Sequence, residues 1–145
     1  MNVREPVGGR EGPQRNGRAG MSFLSYWVPV FFWMGSIFLL SSMPGGRMPQ
    51  VPIPGIDKVG HLLEYGVLGF LLTRALLFSW PRGRGWKLSL ATATVALLFG
   101  ISDEWHQTFV PGRSGEWGEA LFDTVFALAG AFLYRKSCKR SDAVP

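Results

Sequence analysis

The sequence predicts an all-α, polytopic membrane protein with four transmembrane helices, N-in/C-in. Three observations predict it. Charge is crowded into the tails and short connectors, leaving long apolar stretches between them. The Lys and Arg residues sit at the ends of those stretches, where membrane topology requires them. A soluble fold of 145 residues would have to hide six Trp and eleven Phe in one small core, and short chains keep too much surface exposed for that.

Residues 1–21 are polar and rich in Gly and Arg, and are expected to form a disordered tail. They contain no recognisable cleavable signal peptide, and Met21 offers an alternative start. A span needs roughly 20 mostly apolar residues, with about 17 tolerable. The first is expected over residues 23–40 and includes Pro29, which bilayer helices tolerate when neighbours satisfy the freed carbonyl. Residues 43–56 hold four of the ten prolines and three glycines, so they form a loop. The second span covers residues 59–80 and ends at the basic turn Pro-Arg-Gly-Arg-Gly of 81–85. The third covers residues 86–102, its helix continuing through Gln107, and a turn follows at 110–115. The fourth covers residues 119–134. Residues 22–136 thus form one four-helix domain, and 137–145 a basic C-terminal tail.

Orientation follows from the bases. Arg4, Arg10, Arg15 and Arg18, then Arg74, Arg82, Arg84 and Lys87, then Arg135, Lys136, Lys139 and Arg140 all fall on one side. That is twelve of the fifteen; only Arg47, Lys58 and Arg113 fall on the other. The positive-inside rule puts both termini in the cytoplasm, with the chain in the cell (inner) membrane. Seven of the ten acids lie on the outer side, so the net +5 conceals a basic inner pole and an acidic outer one. The positives form no stripe along one face, which argues against nucleic acid as a partner. The lone cysteine, Cys138, excludes an internal disulfide.

The acidic pole is organised. Asp57, His61 and Glu64 lie at i, i+4 and i+7 and share a face of the second helix, next to Lys58 and Tyr65. Asp103, His106 and Gln107 share a face at the end of the third, beside Glu104. Glu119 and Asp123 share a face at the start of the fourth. The topology brings all three to one outer level, with both histidines of the chain among them. Ionisable groups in a membrane helix turn inward and pair, and Lys58 and Arg113 are the expected partners of the carboxylates.

Three stretches carry a family resemblance. They are Leu40-Ser41-Ser42-x-Pro44, Asp57-Lys58-x-x-His61-x-x-Glu64-Tyr65-x-x-Leu68-Gly69, and Ser102-Asp103-Glu104-x-His106-Gln107-x-Phe109-Val110-Pro111-Gly112-Arg113. Over about residues 27–134 the chain resembles the VanZ-like family of bacterial membrane proteins, named for a glycopeptide (teicoplanin) resistance protein. The resemblance implies a membrane protein of the cell envelope linked to antibiotic resistance, and implies no particular reaction. The fourth helix departs from the family pattern. Glu119, Asp123 and Phe126 stand where Asp, then Asn or Asp, then Gly are usual. Phe126 replaces a helix-packing glycine, while Gly130 keeps the second small position.

Four readings of the cluster stay open. It can lock the helix ends as a salt-bridge and hydrogen-bond network. It can bind an envelope precursor, a lipid headgroup, an antibiotic or a partner protein, which the family name favours. It can act on a lipid-linked substrate, with His61 or His106 as acid or base tuned by Glu64 or Glu104; a metal held by His61, Glu64, Glu104 and His106 is a variant of this. It can pass protons or small cations, although the inner halves of the helices are apolar apart from Thr73 and Arg74. No cofactor is expected.

Overall fold

The computed structural model describes residues 15–45, 56–83 and 85–141. Four α-helices follow one another, α1 Arg15–Ser41, α2 Ile56–Ser79, α3 Trp86–Gln107 and α4 Trp117–Ser141, with no strand among the described residues. The expected order and number of helices hold, and the ends are longer. α1 begins ahead of its apolar run, α3 does continue through Gln107, and α4 runs on into the expected tail. Of the tail expected to be disordered (1–21) and the loop expected at 43–56, residues 1–14 and 46–55 lie outside the described residues, as do 142–145, while residues 15–21 are helical as the start of α1. Windows in α1 (Phe23–Ser41) and α2 (Lys58–Ser79) are long and apolar enough to cross a membrane.

The helices run up, down, up, down. At one end the indole of Trp27 donates to Ser79 Oγ (2.8 Å), and Arg135 donates to Ser89 Oγ (3.2 Å). At the other, Ser41 bonds Asp103 and His61 bonds Asp123. α2 is central and meets α4 most extensively, α3 packs on α4, and α1 lies along α2. Pro29 sits within α1 without ending it.

Small residues set the α2–α4 distance. A Cβ at Gly69 would run into the backbone of Ala127, and one at Gly130 into that of Gly66. Close backbone approach of this kind is how helices associate when both flanks are apolar. Phe126 therefore does not hold the two helices apart. Its ring is half-buried against the core, and the approach falls to Ala127 and Gly130 beside it. The core consists of Val30, Ile37, Tyr65, Leu68, Leu72 and Ala75. Thr73 and Thr92 share a hydrogen bond (3.2 Å) across the buried α2–α3 seam, and Arg74 lies over the Tyr26 ring at 4.6 Å. Thr73 and Arg74 are thus both engaged within the bundle.

Candidate functional site

The polar residues gather where α1 and α3 end and α2 and α4 begin. His61, one turn into α2, faces α4. Its Nδ1 lies 2.9 Å from Asp123 Oδ1, and its Nε2 lies 3.5 Å from Glu119 Oε2. Lys58 pairs with the same Glu119. Asp123 is 1% exposed, and its Oδ2 has no hydrogen-bond partner among the described residues. The sequence offered Glu64 and Glu104 as the tuning carboxylates for histidine; the structure gives that place at His61 to Asp123.

Asp103 and Gln107 form a second knot. Asp103 Oδ1 accepts from Ser41 Oγ at 2.6 Å, and Oδ2 accepts from Gln107 Nε2 at 3.0 Å. Gln107 in turn accepts from Arg113 Nη1 at 3.2 Å. A turn aims that guanidinium. Val110-Pro111-Gly112-Arg113 closes with the Arg113 amide donating to the Val110 carbonyl (3.1 Å), with Gly112 at φ 75°. Proline second and a positive-φ glycine third are what a type II turn requires. Arg113 Nε also donates to the Met43 carbonyl (3.3 Å), tying the end of α1 to the same turn.

Glu104 is a strut. It is 1% exposed, and its Oε2 accepts from the Glu116 amide (2.7 Å) just ahead of α4. His106 leaves the cluster on the other side. Its Nε2 lies 2.9 Å from Ser42 Oγ, and its ring stacks on Phe38 at 4.2 Å between centroids. Expected to meet in one group, the two histidines dock on different helices. Among the described residues no three His, Cys, Asp or Glu side chains are grouped to hold a metal ion. The Asp57 side chain lies outside the described residues.

Between these knots lies a cleft of about 230 Å³, lined by Leu40, Ser41, Gly60, His61, Glu64, Tyr65, Asp103, Gln107 and Arg113. Of these, His61, Glu64, Tyr65, Asp103, Gln107 and Arg113 belong to the polar cluster expected from the sequence, Ser41 belongs only to the family pattern, and Gly60 is not among the expected site residues. Hydroxyls ending an apolar helix and a bare glycine beside a histidine are the signals that mark them. Ser41→Ala should cost about 1–3 kcal/mol by leaving a buried carboxylate oxygen short of its donor. Thermal unfolding in detergent measures this, and Ser42→Ala, at a half-buried position, should cost less.

The VanZ/LLP1 family model matches residues 22–139. The chain belongs to the VanZ-like family. The match takes in all of the cleft-lining residues of this VanZ-like protein. No curated protein and no solved structure matches the chain.

Proposed function

We propose that this VanZ-like protein spans the cell (inner) membrane four times, N-in/C-in, and uses the outer cleft to bind the headgroup of an envelope lipid or lipid-linked precursor. The membrane reading rests on an inverted surface. The bundle buries Thr73, Thr92, Asp103, Glu104, Gln107 and Asp123, and turns Phe31, Phe32, Leu98, Val125 and Phe132 outward. Exposed Trp80 and Trp86 mark one end and exposed Trp105 and Trp117 the other, as interfacial aromatic belts do. At 1.5 Å per residue, the 24 residues of α2 rise about 36 Å, enough for a hydrocarbon core of about 30 Å.

The observation that carries the binding reading is the cleft, a mixed polar recess on an otherwise apolar bundle. Its 230 Å³ falls below the roughly 300–1,000 Å³ of sites that enclose drug-sized ligands. It suits a headgroup and not a whole glycopeptide, so any link to antibiotic resistance runs through the envelope component. An enzymatic reading draws on the His61–Asp123 pair, in which a carboxylate orients an imidazole.

Two experiments test the proposal. An impermeant maleimide should reach Cys138 only from the cytoplasmic face, and Glu116→Cys in a Cys138→Ser background only from outside. Labelling from one face alone for both, or recovery of the chain in the aqueous fraction, overturns the topology. Gly60 lines the cleft, and a Cβ there meets nothing within 4 Å. Gly60→Leu should therefore fill the recess while the protein still inserts and melts as before. Native mass spectrometry should then show loss of a lipid that the unmodified protein retains. Equal retention by both overturns the cleft as the site.

A further inference from the structure

We infer that the cleft takes a zwitterionic headgroup, a primary ammonium seated on Glu64 and Tyr65 with its anion outward toward Arg113. This rests on reading the cleft as a headgroup site. Most polar groups of the cleft are already committed. Both oxygens of Asp103 are engaged, by Ser41 and Gln107. His61 is held by Asp123 and Glu119. Gln107 spans Asp103 and Arg113.

Two groups remain. Glu64 lines the cleft, and its carboxylate has no hydrogen bond or ion pair among the described residues; only its backbone carbonyl is used, by the Trp33 indole at 2.8 Å. Tyr65 is 1% exposed, lines the same cleft, and its hydroxyl has no hydrogen-bond partner among the described residues. A buried tyrosine hydroxyl usually finds one. A carboxylate accepts only, and a phenol oxygen accepts as well as donates. The unfilled capacity of the cleft therefore calls for N–H donors bearing positive charge.

Depth sets the polarity. Glu64 lies just over two turns into α2, roughly 12 Å below its start, whereas Arg113 belongs to the connector above the helices. Negative charge lies within and positive charge at the mouth. A bare phosphate would meet Arg113 at the mouth and be repelled by Glu64 and Asp103 beyond it. An ammonium with a phosphate behind it matches both levels, and a quaternary trimethylammonium does not, since it has no N–H and needs more room.

An aminoethyl phosphate group can come from a phospholipid or from free solution. The purified full chain is therefore presented with phosphatidylethanolamine, phosphatidylcholine and phosphatidylglycerol, with free phosphoethanolamine as competitor, and retention is read by native mass spectrometry. Phosphatidylethanolamine should bind about tenfold or more tightly than the other two, the worth of one charge-assisted contact. Glu64→Gln should erase the preference, and Tyr65→Phe should reduce it. Competition by free phosphoethanolamine supports the assignment with the headgroup alone as sufficient; retention without competition supports it with the lipid as the source. Equal retention of the ethanolamine and choline lipids by the unmodified protein overturns it, as does a preference for phosphatidylglycerol or a Glu64→Gln variant that keeps the preference. If Gly60→Leu still releases the bound lipid in those cases, the cleft stands as the site and only the headgroup assignment falls. If Gly60→Leu releases nothing, the site reading fails as well.

Discussion

Asp123→Ala should destabilise the bundle by about 3 kcal/mol. Removing one partner of a buried ion pair strands the other, at a cost of about 3–5 kcal/mol when both are fully buried. The lower bound applies because the His61 side chain is 22% exposed and keeps Glu119 at 3.5 Å. The loss should appear as a lower melting temperature in detergent, with the membrane fraction still populated. Adding His61→Ala should cost little more, because the double variant leaves neither group stranded. A double-mutant cycle reads this coupling directly, and strictly additive losses would show that the two side chains do not depend on one another. Asp123→Asn is the discriminating variant. Its amide oxygen can still accept from His61, but its NH₂ would occupy the place of Oδ2, which has no partner among the described residues. It should fall between the native protein and Asp123→Ala.

The helices and the polar end were legible in the sequence for different reasons. Long apolar runs separated by a Pro- and Gly-rich loop and a basic turn mark α1 to α3 well, because a helix that is apolar along its whole length leaves a continuous signal in composition. The i, i+4, i+7 spacing placed His61 and Glu64 on one side of α2, and both line the cleft. Pairing was not legible. Asp123 rather than Glu64 or Glu104 holds His61, and Ser42 draws His106 away from it. Those partners depend on how far each helix is rotated about its axis. That rotation is set where Gly66 and Gly69 meet Ala127 and Gly130, a turn or more along the helices from the residues that pair, by small residues that carry no charge to reveal it. Glu104 shows the same limit. An acid beside two polar residues in sequence reads as part of the site, yet it turns inward to the Glu116 amide and joins α3 to the entry of α4.

Gly69→Leu should abolish the folded bundle, although Gly60→Leu in the same helix leaves it standing. By helix propensity alone both changes are favourable by up to about 1 kcal/mol. The difference is what a side chain meets. At position 60 there is open space within 4 Å; at position 69 the nearest atoms are the carbonyl, carbonyl carbon and Cα of Ala127. Backbone cannot rotate aside as a side-chain tip can, so α4 must move away from α2 along its most extensive contact. Overpacking commonly costs about 1–3 kcal/mol, and this case belongs at or above the top of that range. Separation of α2 from α4 would also pull Asp123 from His61 and Glu119 from Lys58. The variant should therefore lose lipid retention along with monodispersity on size exclusion, whereas Gly60→Leu loses retention alone. A Gly69→Leu protein that remains monodisperse and melts near the native temperature would mean that the α2–α4 approach does not hold the polar end together.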